Sequence, residues 1–317
     1  MLTVLFATKN RARILNDVLE SFCRLLSPAC GWKLVVVNNG SRDNTLSVLN
    51  SFSSRLPLTV VTEPTAGKNA ALNAGLAMVE GDLTVFTDDD AFPCRDWLVR
   101  LRVAADDQPE YSMFGGAVVP RWEVPPPPWI HWVEVAAAFG MNDPSLKDGP
   151  LPPSRIPDII GPNMAIRSNI FYSGVRFDSS IGPSGLDYPM GSETELVLRL
   201  NRQGHKGWHV HAATVEHLVR QEQLDKEWIL RRAIRFGRGH HRLFPNPKLW
   251  LGVPRHLFRD IPKEGFRVAV AWGSLRPDYL FRARWRFNYF LGVAIEARSM
   301  SRHLARQVSC EAASQDT

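Results

Sequence analysis

The sequence predicts an α/β fold, a doubly wound and mostly parallel sheet flanked by helices, with a helical extension at the C-terminal end. Three observations predict it. The first hundred residues alternate short apolar runs with segments of helical period. One apolar run, Val85-Phe86-Thr87, ends in three consecutive carboxylates, Asp88-Asp89-Asp90. From Asp225 onward the composition turns basic and aromatic.

The elements follow in order. Residues 2–7 are a strand, and residues 12–26 carry Ile14, Leu15, Val18, Leu19 and Phe22 at helical spacing. Residues 33–37 are a second strand, closed by the turn Asn38-Asn39-Gly40-Ser41. A helix spans 44–52, with Asp43 suited to cap it. A strand at 58–62, an Ala-rich helix at 68–79 and a strand at 83–87 lead into the carboxylates. A helix at 97–104 follows Pro93, then a strand at 112–119. Pro125–Pro128 are four consecutive prolines, and the Pro/Gly/Asp-rich stretch 141–157 reads as a mobile loop. Order returns at 161–168, with a helix at 193–203 and a strand at 207–212. The expected organisation is 1–110 and 111–220 as two halves of one domain, and 221–317 as a basic helical region.

In a sheet of this kind ligands bind beyond the carboxyl ends of the strands. Thr8, Asn38, Asn39 and Asp88–Asp90 stand there. Side chains alternate along a strand, so Asp88 and Asp90 can point the same way and grip one divalent ion. Oxygen ligands suit Mg²⁺ or Mn²⁺. No Gly-x-Gly-x-x-Gly follows the first strand and no Gly-x-x-x-x-Gly-Lys-Ser/Thr occurs, which argues against dinucleotide and P-loop readings.

Composition bounds the class. The 317 residues are 44% hydrophobic and 22% charged, as for a globular enzyme. Cys23, Cys30, Cys94 and Cys310 form no CxxC pair, which argues against a zinc ribbon or a disulfide scaffold and fits a reducing compartment. The N-terminus reads directly as a strand with no leader, and no apolar run reaches the roughly 20 residues of a membrane span. The net charge of +6 is uneven: residues 225–317 hold 18 Lys and Arg against 8 Asp and Glu. Nucleic acid, an anionic membrane surface, an anionic substrate or a solvated helical face would each account for that.

Six segments, in order, resemble the family 2 glycosyltransferases, which have the GT-A fold. They are Thr8-Lys9-Asn10-Arg11; Val36-Val37-Asn38-Asn39-Gly40-Ser41-Arg42-Asp43-Asn44-Thr45; Gly67 to Gly75; Gly81 to Asp90; Gly161-Pro162-Asn163-Met164-Ala165-Ile166-Arg167; and Gly191-Ser192-Glu193-Thr194-Glu195-Leu196. The resemblance covers roughly residues 1–220. Asn38 replaces the family's usual Asp, Lys9 a frequent aromatic, and Ser192-Glu193 the family's Glu-Asp.

The resemblance implies a metal-dependent, inverting transfer of a sugar from a nucleotide-diphosphate donor to a hydroxyl. Thr8, Asn10, Asn38, Lys68, Asp88 and Asp89 would surround the donor nucleotide, UDP in the first instance with GDP or dTDP as alternatives. Asp88 and Asp90 would hold Mn²⁺ or Mg²⁺. His217, which shares strand parity with His209 and His211, would stand near that metal. The acceptor hydroxyl needs a base. Ser192-x-x-Glu195 fits a capping box, and Glu195 with Arg199 is an i,i+4 pair, so Glu195 has structural work. Glu193, above Leu196, Val197 and Leu200, is the favoured base; Glu195 and Asp187 remain open. Trp122, Trp129 and Trp132 offer an acceptor platform or core packing. The acceptor is expected to be a saccharide or lipid-linked saccharide of cell-envelope or exopolysaccharide synthesis. The protein is expected in the cytoplasm, peripheral on the inner membrane face through 225–317, with no nucleic acid partner. A sugar-nucleotide nucleotidyltransferase and a non-catalytic carbohydrate- or nucleic-acid-binding protein are the rival readings.

Overall fold

The computed structural model describes residues 1–132, 138–185 and 187–315, with side chains through 303. Its contacts divide it into two compact units. The first holds residues up to Pro125, 138–185, and Ser192–Arg220; the second holds 126–132, 187–191 and the described residues from Gln221.

In the first unit the expected alternation is present. The parallel strands β1 (Leu2–Thr8), β2 (Trp32–Asn38), β3 (Leu58–Thr62) and β4 (Leu83–Phe86) are joined through α1 (Ala12–Phe22), α2 (Thr45–Ser51) and α3 (Lys68–Leu76). Then come β5 (Ala91–Pro93), α4 (Trp97–Asp107), β6 (Met113–Trp122), β7 (Gly149–Leu151), β8 (Met164–Arg167), the single turn α5 (Asn169–Tyr172), α6 (Ser192–Arg202) and β9 (Gly207–Val219). Among the described residues they form one nine-stranded sheet, ordered β3-β2-β1-β4-β8-β6-β9-β5, with β7 also paired to β9. β8 runs antiparallel to both neighbours, β4 and β6.

The strand sequences explain the two covered faces. Leu2, Val4, Phe6, Leu34 and Val36 pack with the inner sides of α1 and α4, while Leu5, Val35 and Val37 pack with α3 and α6. Side-chain alternation splits each buried run between two cores, so the strands read as continuous apolar stretches. α3 lies close on the sheet at Gly75, where a Cβ would stand 2.4 Å from a Leu5 methyl and 2.8 Å from one of Val37. A larger residue there would push the helix that carries Lys68 away from the strand ends.

Four expectations need correction. The strand expected to end at Ala212 continues to Val219, because a register shift opposite Gly116 and Val118 absorbs the polar lapse His211-Ala212-Ala213-Thr214. That shift also breaks the histidine parity: His209 is buried and His211 exposed. The stretch 141–157 is not a free loop. Asn142 is buried and bonds Val118 N and Gly116 O, and β7 pairs with β9. The capping box is absent: α6 begins at Ser192, whose hydroxyl donates to Asn69, and Glu195 grips Arg199 at 2.8 Å.

The second unit is helical, with α7 (Lys226–Leu243), α8 (Leu257–Gly273) and α9 (Pro277–Gln315), and a two-stranded hairpin of β10 (Leu249–Trp250) and β11 (Val253–Pro254). Asp225 caps α7 by accepting from Trp228 N at 2.9 Å. Glu296, fully buried, receives Arg238 at 2.7 Å and Arg242 at 2.5 Å and ties α9 to α7. No helix among the described residues is long and apolar enough to cross a membrane.

Candidate active site

The site lies at the carboxyl ends of β1, β2 and β4. Its rim is built by loop-to-loop hydrogen bonds. Asn10, at φ 54°, takes the left-handed turn out of β1 and its side chain accepts from Arg42 N at 2.8 Å. Ser41 N donates to buried Asn38 at 3.2 Å. Asn39 is equally buried; it donates to Glu63 O and Thr65 O and accepts from Gly67 N, so it fixes the approach to α3. Buried amides that satisfy several backbone groups at once hold a loop rigidly.

Lys68, the first residue of α3, is the centre of the arrangement. Its ammonium lies 2.5 Å from Asp88 and 2.6 Å from Glu193. The expectation from sequence had this lysine meeting a phosphate; here it joins the aspartate cluster to the favoured base. Two neighbours in sequence explain the meeting. Asn69 follows Lys68, Ser192 precedes Glu193, and the Ser192 hydroxyl donates to the Asn69 carbonyl. Asn69 also donates to Asp178 O and Ile181 O. The starts of α3 and α6 are thereby pinned together. Gly161 leaves room for Glu193: a Cβ there would be 2.5 Å from Glu193 Oε1 and 2.9 Å from its Cγ.

Asp90 is buried and accepts from Arg220 at 2.8 Å, with His217 Nε2 at 3.1 Å from its other oxygen. The β5–β9 pairing sets Ala91 opposite His217, and Leu218 N donates to Asp90 O. His217 Nδ1 lies 2.8 Å from Phe139 O. That carbonyl holds a proton on Nδ1 and leaves Nε2 to face the carboxylates or a cation. Asp89 sits 3.9 Å from Arg11.

Burial and crowding set the charges. Burial, then Asp90, pushes Asp89 up to about 7, and the Arg11 and Thr8 side chains only partly offset this. Burial raises Asp88 above the usual carboxylate range against the pull of Lys68. Asp90 is held well below that range, because His217 and Arg220 outweigh its burial. Glu193 lies below its ordinary value for the same kind of reason: burial would raise it, and Lys68 overrides burial. Lys68 and His217 are each raised, their carboxylate neighbours exceeding the effect of burial. Four carboxylates thus share Lys68, Arg11, Arg220 and the His217 imidazole.

Asp88, Asp90 and His217 can each offer a ligand atom, all within 4.8 Å of one another. Two carboxylates and an imidazole nitrogen fit Mn²⁺ or Mg²⁺ with solvent completing the shell. The other sequence candidates lie elsewhere. Glu195 is held by Arg199, and Asp187 pairs with Arg238 in the second unit at 2.6 Å. Trp122 packs on Phe139, while Trp129 and Trp132 belong to the second unit, against Phe281 and Lys226. Sequence reasoning assigned no role to Arg11, Asn69, Gly161 or Arg220. The first three stood inside quoted segments, and Arg220 lies three residues past His217, beyond the expected end of its strand.

Residues 3–174, more than half the chain, match the pattern described as Glycosyl transferase family 2, and the protein belongs to that family. It is similar to the glucosyl-dolichyl phosphate glucuronosyltransferase of Haloferax volcanii, at 20% identity over 63% of this chain and 64% of that protein. It is also similar to the probable glycosyltransferase YdaM of Bacillus subtilis, at 24% identity over 75% of this chain and 54% of YdaM. The chain therefore covers less than two thirds of the length of either relative. Among solved structures it resembles the mannosyltransferase PcManGT of Pyrobaculum calidifontis, determined with GDP-Man and Mn²⁺, with a TM-score of 0.61 at 18% identity. That likeness covers 93% of this chain and 86% of the other, and it establishes the GT-A fold.

Proposed function

We propose that this glycosyltransferase moves a sugar, with inversion, from a nucleotide-diphosphate donor to a hydroxyl of a saccharide or lipid-linked saccharide in cell-envelope or exopolysaccharide synthesis. One observation carries the reading: a single ammonium, that of Lys68, spans Asp88 at 2.5 Å and Glu193 at 2.6 Å, so a group suited to the donor diphosphate and a group suited to the acceptor proton share one pocket wall.

In this reading Glu193 takes the acceptor proton as the oxygen attacks the anomeric carbon. Its low proton affinity beside Lys68 keeps it ionised and ready. Gly161 gives it the space to reach, and the Asn69–Ser192 bond fixes the helix starts that carry it and Lys68. Thr8, Asn10, Asn38, Asp88 and Asp89 surround the donor nucleotide, with Asp88 meeting the ribose as well as the metal. Asp88, Asp90 and His217 would hold a divalent ion, which would supply Lewis-acid stabilisation of the leaving diphosphate. Arg220 and Arg11 hold Asp90 and Asp89 in place and add positive charge toward the same leaving group. The H. volcanii relative, whose name records a dolichyl phosphate glycolipid, supports a lipid-linked acceptor.

Thermal shift with UDP, GDP, dTDP and CMP, each with and without Mn²⁺, tests the donor side. A ligand at about 100 times its Kd adds roughly 2.7 kcal/mol. One nucleotide giving a metal-dependent shift, lost in Asp90→Asn, is the expected result. Equal shifts with and without metal would refute the metal assignment.

A further inference from the structure

The second unit carries an apolar surface that its fold leaves uncovered. Along α8, Phe258, Pro262, Phe266 and Val270 recur every fourth residue, and all four are exposed. Glu264, Val268 and Ala271 lie on the other side of the helix, with Glu264 and Ala271 buried. The helix therefore buries the face that carries Glu264 and Ala271 and leaves an apolar stripe on the opposite one. Trp272 is 77% exposed beside the outer stripe. An open groove next to it is lined by Gly265, Val268, Ala269, Trp272, Leu280 and Arg284.

Both ends of the stripe are turns with a leucine at the tip. Leu251 joins β10 to β11 at φ 50° and is 72% exposed; Leu275 ends α8 at φ 55° and is 91% exposed. Positive φ is the province of Gly and Asn, and a helix commonly ends on such a residue. A strained leucine that contacts little of its own protein implies a use outside it. At the first turn Trp250 packs on Phe258 with ring centroids 4.6 Å apart, which joins the hairpin to the stripe.

Charge identifies what covers this surface. Arg259 and Lys263 run beside the stripe, one residue after Phe258 and Pro262, and are exposed. Residues 251–286 contain eight Lys and Arg against three Asp and Glu, and one of the three, Glu264, is buried against Arg267 and Arg286. Aromatic and leucine side chains flanked by basic ones are the pattern of a helix lying in a lipid interface. We propose that α8, with the Leu251 and Leu275 turns, docks this protein flat on an anionic membrane. Phe266, Val270, Trp272 and Leu275 would enter the acyl boundary, and Arg259, Lys263 and Arg276 would meet lipid phosphates. The inference stands apart from the transfer chemistry, because lipid binding is read without any donor.

Flotation of the full chain tests it, with vesicles of phosphatidylcholine alone and of phosphatidylcholine mixed with phosphatidylglycerol, at low and high salt. Binding to the anionic vesicles only, weakened by salt, is expected. Phe266→Glu with Leu275→Glu should abolish it at an unchanged unfolding midpoint. Arg259→Glu with Lys263→Glu should weaken it about tenfold or more. Leu251→Asn with Leu275→Asn separates the membrane role from a structural one: it relieves both left-handed turns, so the midpoint should rise while flotation falls. No flotation, flotation indifferent to these changes, or a dimer in solution that Phe266→Glu dissociates would each overturn the proposal, the last by giving the surface to a second copy of the chain.

Discussion

Each unit buries carboxylates, and the two do so differently. In the second, Glu296 has no solvent exposure and receives two arginines, at 2.7 and 2.5 Å, one of which, Arg238, also pairs with Asp187. In the first, Asp88, Asp89, Asp90 and Glu193 share Lys68, Arg11, Arg220 and the His217 imidazole, and Lys68 divides its charge between two of them. The first pattern is a balanced ion pair that ties two helices. The second is short of fixed positive charge, and proton affinities inside it spread apart, Asp89 upward and Asp90 downward. Charge balance, more than burial, separates a structural carboxylate from one arranged for chemistry.

The sharpest way to break this comparison is Glu193→Gln. It keeps the shape and removes the base, so turnover should fall by about 10²–10⁴-fold while the nucleotide and Mn²⁺ thermal shift persists. Near-normal turnover would return the base to Glu195 or Asp187. Glu296→Ala is the matching change in the other unit. Removing the buried carboxylate that Arg238 and Arg242 share should cost about 3–5 kcal/mol, seen as a lower denaturant midpoint, with metal affinity unchanged. An altered metal affinity would mean that the balanced pair is not merely structural.

Gly161→Ala sharpens the geometry. The added Cβ meets the flexible end of Glu193, so the carboxylate should move at little expense in stability. A displacement of about 1 Å can lower turnover on the order of 10²-fold; single-turnover rates at saturating donor would read it. Unchanged rates would place the reacting atoms away from Glu193 Oε1.

The smallest effect is on pH. Asp89 binds its proton more tightly when folded, pushed up to about 7 from its ordinary value of 3.8. Ionising it in the folded protein is therefore destabilising, and stability falls as pH rises toward and through 7. His217, also raised, adds stability that is lost as pH rises above its ordinary value of 6.5. The metal-free protein should melt several degrees higher near pH 5.5 than near pH 8, by the order of magnitude of a one-unit shift. Asp89→Asn should flatten the profile, and Mn²⁺ should reverse it. Below about pH 4 the sign changes, since Asp90 and Glu193 have lowered affinities and lose their contribution on protonation. A profile flat from 5.5 to 8 in the metal-free protein would show the cluster to be neutralised already.

Much of the donor side was legible because its signals are local. A strand that ends in Asp88-Asp89-Asp90 brings its chemistry with it, and β1 to β4 were legible because each is an unbroken apolar run. The alternation of those runs between two cores follows from the backbone alone. Where the sequence reading stopped short, long-range pairing had decided the outcome. The stretch His211-Ala212-Ala213-Thr214, with no large apolar side chain, looks like a strand end, and only the register shift against β6 carries β9 on through His217 to the edge of Arg220. The stretch 141–157 looks like loose chain until Asn142 is seen bonded to β6.

The sequence by itself determined the strand and helix order of the first unit, the three aspartates at one strand end, and the basic, aromatic character of residues 225–317. Local periodicity and covalent neighbourhood suffice for those. Only the tertiary structure decided that Lys68 joins Asp88 to Glu193, that Arg220 and His217 share Asp90, and that one face of α8 stays bare. Each of those pairs or faces is set by elements far apart in the chain, such as Asn69 with Ser192 or β5 with β9, and no local pattern of residues records which distant surface a helix or strand will meet.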